Sequence, residues 1–127
     1  MLKLRRIDIE RGQEVLEGLR LYVERLKEEL KPRLVLLFGS FARGDYNEGS
    51  DVDLLIVAEF KEHFLDRIGL LMKLNTFHIP IEPIGYTPQE FQDMRERGNP
   101  FILEVLERGK VLYGDVEAAR QGAARVR

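Results

Sequence analysis

Two aspartates and a glutamate are the residues of this sequence whose types and spacing could do chemistry. Asp51 and Asp53 stand at the start of an apolar run that reads as a β-strand. Residues two apart in a strand project from the same face, so the two carboxylates point together. Charged groups at the mouth of a buried strand need a compensating cation. We therefore predict that Asp51 and Asp53 bind a divalent metal ion.

Glu82 lies in a later apolar segment, between Ile81 and Pro83. An acidic side chain in such a strand has either a solvent-facing or a liganding role, and the paired aspartates on the neighbouring strand favour the second. Pro80 and Pro83 cannot donate hydrogen bonds to a partner strand, which predicts a position at or near the sheet edge. We expect Glu82 to complete the acidic site.

Gly39 and Ser40 follow the first apolar run, at the far end of its strand. A tight Gly–Ser turn can offer backbone N–H groups and a hydroxyl to a phosphate. If the first two strands run antiparallel, this turn meets the aspartates at one end of the sheet. A metal on the carboxylates beside a phosphate cradle would form a site for a nucleoside triphosphate.

Two further polar residues lie between the turn and the aspartates. Arg43 either contacts a triphosphate or forms a surface pair with Asp45 or Glu48. Ser50 either orients the polar loop or caps the backbone of Asp51. Both residues are candidates for nucleotide binding.

The order of elements predicts a single α/β (α+β) domain over residues 1–114, with a small mixed sheet of three to four strands flanked by helices. A flexible tail is expected over residues 115–127. The predicted strands are Arg33–Phe38, Val52–Ala58, Ile79–Ile84 and Lys110–Tyr113, and the predicted helices are Ile9–Leu30, a short turn at Phe41–Gly44, Lys61–Asn75, Thr87 to about Arg97, and Phe101–Arg108.

Composition limits the classes of function. The formal charge of −2 argues against bulk nucleic-acid binding. The absence of cysteine and of a long apolar run favours a cytoplasmic protein without a membrane span. Neither a Walker A sequence, a dinucleotide-binding glycine pattern nor a serine-hydrolase elbow is present.

The pattern Gly39-Ser40, ten residues, then Asp51-Val52-Asp53 resembles the signature of the minimal nucleotidyltransferases, the small branch of the DNA polymerase beta-like superfamily. The likeness covers roughly residues 30–114. It implies transfer of AMP from ATP to an acceptor hydroxyl, with a two-ion Mg²⁺ site. The implied catalytic and metal-binding residues are Asp51, Asp53 and Glu82, and the implied nucleotide-binding residues are Gly39, Ser40, Arg43 and Ser50.

The acceptor follows from the same resemblance. Aminoglycoside-modifying relatives carry a substrate domain for which 127 residues leave no room, so we expect an acceptor on another macromolecule or a cleft completed by homo-oligomerisation. Similar chains act as antitoxins that attach AMP to a tyrosine of a HEPN-domain toxin. Two alternatives stay open: a non-catalytic module that neutralises such a partner by contact, and a small-molecule nucleotidyltransferase. Glu82 stands where these families more often have Asp.

Overall fold

Alternating helices and strands make up the chain in the computed structural model, which describes residues 2–47 and 49–119. The strands are β1 (Leu34–Phe38), β2 (Val52–Val57), β3 (Ile81–Tyr86) and β4 (Lys110–Gly114). The helices are α1 (Leu2–Glu29), α2 (Gly39–Arg43), α3 (Phe64–Lys73), α4 (Pro88–Glu96), α5 (Pro100–Arg108) and a short 3-10 helix at Glu117–Ala119.

The four strands form one mixed sheet in the order β3-β2-β1-β4. β1 runs antiparallel to β2 and β4, whereas β3 runs parallel to β2 after the crossover through α3. The predicted mixed sheet is therefore confirmed, and β3 lies at the edge where its prolines placed it. β2 is central, and its apolar residues are buried on both faces of the sheet.

The long helix α1 covers one face of the sheet. Its buried positions recur at steps of three and four, the spacing of one helical face, and include Val15, Leu19, Tyr22 and Leu26. The Tyr22 hydroxyl donates a hydrogen bond to the Leu71 carbonyl at 2.7 Å, which fixes α1 against α3. Burial raises the pKa of the Tyr22 phenol, so the phenol stays neutral.

The opposite face is covered by α4 and α5. Phe91 and Ile102 are fully buried there against the odd-numbered residues of β2. α4 begins at a capping box in which Thr87 accepts from the Glu90 backbone N–H and Glu90 accepts from the Thr87 N–H. Both hydrogen bonds satisfy backbone N–H groups that have no acceptor within the helix at its start. The predicted helix start is confirmed in position and in chemistry.

β3 begins two residues later than predicted, at Ile81 rather than Ile79. The preceding loop is held in a non-extended conformation, because His78 has a positive φ of 58° and the Asn75 side chain donates to the Ile79 carbonyl at 2.7 Å. The strand then continues to Tyr86, which lies opposite Val57.

α3 buries few of its apolar side chains. Of Phe64, Ile68, Leu71 and Met72, only Leu71 is fully buried, and Met72 is 45% exposed. Arg67 occupies a buried position instead, because backbone carbonyls and an acidic partner satisfy its guanidinium.

Folded structure continues past Gly114, where we expected a flexible tail to begin. Ala119 ends the short 3-10 helix and is fully buried in the cluster beneath α4 and α5. The rest of the expected tail, residues 120–127, lies outside the described residues. Within the described part of the chain, no helix combines the length and apolarity that a bilayer span requires.

Candidate active site

The three acidic residues lie on adjacent strands at one end of the sheet. Strand register puts Asp53 opposite Phe38 of β1 on one side and opposite Glu82 of β3 on the other. Asp51 immediately precedes β2 and projects from the same face as Asp53. This is the face covered further along by α4 and α5. The sequence thus correctly placed all three carboxylates on one face.

The carboxylates repel one another in the absence of a cation. A hydrogen bond with Asp51 raises the pKa of Glu82, and the charges of Asp51 and Asp53 raise it further. Burial raises the pKa of Asp53, and the charge of Asp51 adds to that effect while Arg43 opposes it. Each shift disfavours the ionised form, so the cluster gains stability either by binding a proton or by binding a cation.

The donor chemistry of this cluster fits Mg²⁺. Carboxylate oxygens are the hard ligands that Mg²⁺ prefers, and mutual repulsion among three acids is what a divalent ion relieves. Across residues 2–47 and 49–119, however, no group of three or more acidic, histidine or cysteine side chains is already arranged to hold a metal. The predicted metal ligands are therefore neighbours rather than a preformed cage.

α2 begins directly beside the Asp53 carboxylate. Gly39, its first residue, has a φ of 73°, and a Cβ at this position would collide with the Asp53 carboxylate. Only glycine combines this left-handed backbone with so close an approach. The first N–H groups of a helix have no acceptor within the helix, and Gly39 and Ser40 begin this one next to the acidic cluster. The predicted phosphate cradle and the carboxylates are thus adjacent.

The structure decides between the alternatives for the loop residues only in part. Arg43 Nε donates to Asp45 Oδ2 at 3.1 Å, which is the predicted surface pair, yet Arg43 also lies close enough to Asp53 to lower its pKa. Ser50 orients the loop, because its Oγ accepts from the Asn47 N–H at 2.9 Å.

A cleft beside the cluster includes residues that the sequence did not indicate. It has a volume of about 310 Å³ and lies between the end of β1, the start of α2, and α5. The α5 side chains in its wall include Phe101, Glu104 and Arg108. Their spacing of three and four residues places them on one helical face, and this was the signal available in the sequence. The sequence predicted only that Phe101–Arg108 form a helix.

The family to which the chain belongs follows from comparison with known proteins. The family model described as "Polymerase beta, Nucleotidyltransferase" matches residues 22–118. The chain is 37% identical over 95 residues to the Methanocaldococcus jannaschii protein named "Putative protein adenylyltransferase MJ0604", and the alignment covers 72% of this chain and 91% of that protein.

Two crystal structures share the fold. One is of a "putative nucleotidyltransferase" from Sulfolobus solfataricus, with a TM-score of 0.59, 21% identity, and coverage of 84% of this chain and 86% of that one. The other is of a toxin–antitoxin with AMP-PNP, with a TM-score of 0.59, 21% identity, and coverage of 80% and 77%. At this identity the structures support the fold alone, whereas the family model and the archaeal relative decide the family. The chain is a member of the polymerase beta-type nucleotidyltransferase family.

Proposed function

We propose that this protein transfers AMP from ATP, in a Mg²⁺-dependent reaction, to a hydroxyl group of a partner protein. The acceptor oxygen forms a bond to the α-phosphorus, the bond from that phosphorus to the β-phosphate oxygen breaks, and pyrophosphate leaves. One observation carries the proposal: a nucleotidyltransferase domain has three mutually repelling carboxylates beside a helix start that can receive phosphate. A domain that served only as a scaffold would have no physical need for this combination.

The residues divide into those that bind the cation and those that bind the nucleotide. Asp51 and Asp53 would hold the metal, and Glu82 would either complete the metal site or accept the proton of the acceptor hydroxyl. The hydrogen bond with Asp51 and the charges of Asp51 and Asp53 raise the pKa of Glu82, which makes it a stronger proton acceptor. When bound, two Mg²⁺ ions would neutralise charge on the transferred group and activate the acceptor oxygen.

The remaining residues position the nucleotide, which is the larger part of catalysis in phosphoryl transfer. The backbone N–H groups of Gly39 and Ser40 bind the terminal phosphates. Arg43 adds positive charge there by exchanging its pair with Asp45 for a phosphate oxygen. Ser50 keeps the loop in the conformation that presents Asp51 to the metal.

A partner protein is the proposed acceptor. Its support is the name of the Methanocaldococcus jannaschii relative, a protein adenylyltransferase, and the toxin–antitoxin assembly of the structural neighbour that contains AMP-PNP. Together with the resemblance of the sequence to antitoxins of this type, they favour a HEPN-domain toxin as the partner and a tyrosine hydroxyl as the acceptor.

A second candidate is a module that neutralises its partner by contact without transferring AMP. It is favoured by the absence of a preformed metal cage in the described residues and by the glutamate at position 82. A third, a small-molecule nucleotidyltransferase, would act without any protein partner.

The test uses ATP labelled at the α-phosphate, Mg²⁺, and a candidate HEPN-domain partner protein. We expect wild-type protein to label the partner and Asp53→Asn to leave it unlabelled. Asp66→Asn is the control, since Asp66 is an exposed acid on α3 away from the cluster. Equal labelling by Asp53→Asn would overturn the mechanism. A tight complex without label would support the contact module, and label on a small acceptor in the absence of partner would support the third candidate.

A further inference from the structure

The acidic cluster has two sides that the sheet order distinguishes. β2, with Asp51 and Asp53, separates β3 with Glu82 from β1, which leads into Gly39. The cleft of about 310 Å³ opens on the β1 side, and its walls include Gly39 and, from the acidic cluster, Asp53. A ligand whose phosphates lie at Gly39 can therefore extend into this cleft without approaching Glu82.

The wall that α5 contributes to this cleft includes an aromatic, an acidic and a basic side chain, Phe101, Glu104 and Arg108. Phe101 contacts Phe38 edge to face, with ring centroids 5.4 Å apart, and 38% of Phe101 remains exposed. Glu104 lines the same wall. A carboxylate repels phosphate, but it accepts hydrogen bonds from sugar hydroxyls. Phe101 and Glu104 therefore fit a nucleoside better than a triphosphate.

We propose that this cleft binds the nucleoside of the donor nucleotide, with the base stacked on Phe101 and a ribose hydroxyl donating to Glu104. This inference rests on the proposed function for the position of the triphosphate. The volume is at the lower end of the range for small-molecule pockets, which suits one half of a nucleotide held between protein and solvent. The acceptor then approaches from the opposite side, over Glu82.

The experiment compares two ligands that differ only in the nucleoside part. Binding of AMP-PNP and of inorganic tripolyphosphate, each with Mg²⁺, is measured by titration calorimetry. We expect Phe101→Ala and Phe101→Leu to weaken AMP-PNP binding about tenfold, since base stacking on an aromatic ring has this order of effect. Tripolyphosphate binding should not change. Phe101→Tyr keeps the ring and should bind AMP-PNP like wild type.

Glu104 is tested with a sugar variant. We expect wild type to bind ATP about threefold more tightly than 2′,3′-dideoxy-ATP, and Glu104→Gln to lose most of that preference. Two exposed residues of the same helix that do not line the cleft serve as matched controls, Leu103→Ala for Phe101 and Glu107→Gln for Glu104. Leu103 is 47% exposed and neither control residue lines the cleft, so neither should alter nucleotide binding.

The outcomes separate this inference from the proposed function. If both Phe101 variants bind AMP-PNP like wild type, or lose both ligands equally, the nucleoside assignment is wrong, even where AMP transfer proceeds. If Phe101 and Glu104 behave as expected but no protein becomes labelled, the assignment stands and protein AMP transfer fails. If wild type binds neither ligand, both proposals fall.

Discussion

Each end of the β2–β3 pair carries a cluster of charged side chains, and the two clusters are built in opposite ways. At the C-terminal end of β3, Arg67 is 6% exposed and donates to the Glu62 and Gly85 carbonyls and to both carboxylate oxygens of Glu90. Its guanidinium also lies over the Phe60 ring, 5.4 Å from the ring centroid. Opposite charges there satisfy one another within the fold.

At the other end, like charges face each other. Asp51 and, to a smaller extent, Asp53 raise the pKa of Glu82. Burial and the charge of Asp51 raise the pKa of Asp53, and Arg43 only partly offsets that rise. The pairing at the Arg67 end lowers the pKa of Glu90 instead. The comparison shows that the Arg67 end stabilises the fold. At the acidic end, like-charge repulsion lowers the stability of the fold, and a bound ligand can restore it.

The largest expected effect comes from removing a charge at the acidic end. Asp53→Asn should lower AMP transfer at least about a hundredfold, because it removes a charged carboxylate from the proposed metal site. Its free energy of unfolding at neutral pH should be unchanged or higher, since the substitution removes like-charge repulsion. Rates of label transfer and urea unfolding measure the two effects. A loss of stability parallel to the loss of activity would contradict the contrast between the two ends.

Removing the cation at the paired end should have the opposite result. Arg67→Met leaves Glu90 and two carbonyls without their donor and should lower the free energy of unfolding by about 2 kcal/mol. The loss is not larger because the Glu90 side chain is 43% exposed and water can solvate it. AMP transfer per folded molecule should remain near wild type. Glu90→Gln is the milder control, because glutamine can retain the capping box while losing the charge.

A smaller loss is expected from the cap that shares Glu90 with Arg67. Thr87→Ala removes the oxygen that accepts from the Glu90 N–H and should cost about 1 kcal/mol. The Arg67–Glu90 pair should persist, so Thr87→Ala and Arg67→Met should contribute separately in a double-mutant cycle. Strong coupling between them would mean that the cap and the ion pair form a single unit.

The smallest effect is a difference in pH dependence. Glu82 and Asp53 have raised pKa values in the folded protein. Each therefore contributes its full stability at pH values below its ordinary pKa, 4.5 for Glu82 and 3.8 for Asp53, and this contribution is lost as the pH rises. Glu90 has a lowered pKa, so its contribution is present above 4.5 and is lost as pH falls. Relative to wild type, Glu82→Gln should gain stability from about pH 3 to about pH 7, and Glu90→Gln should lose it. Unfolding by urea at several pH values tests both signs.

The sequence was sufficient for the elements whose chemistry is local. Three short patterns each predict the local structure around them: a glycine at a turn, two aspartates at the start of a strand, and a Thr–Pro–x–Glu sequence at the start of a helix. Two prolines correctly placed β3 at the sheet edge. These features need only neighbouring residues to be interpreted, which is why the acidic face could be predicted before the fold was known.

Features that depend on distant contacts were not predicted. Arg67 is buried because Glu90, 23 positions along the chain, meets it across the end of β3, and no local pattern indicates that meeting. The cleft likewise requires α5 to pack beside the end of β1, so Phe101 and Glu104 have no visible partner in the sequence. β3 begins later than predicted because His78, with its positive φ, and the side chain of Asn75 fix the conformation of the loop before it.

The most direct test of the central claim is binding of a paramagnetic stand-in for Mg²⁺. Mn²⁺ is titrated into the protein with AMP-PNP present, and its binding is followed by the change in water-proton relaxation. Wild type and Glu90→Gln should bind Mn²⁺, and Asp51→Asn and Asp53→Asn should each lower the affinity at least about tenfold. Affinity that is equal in wild type and in both aspartate variants would contradict the claim that these crowded carboxylates exist to hold a cation.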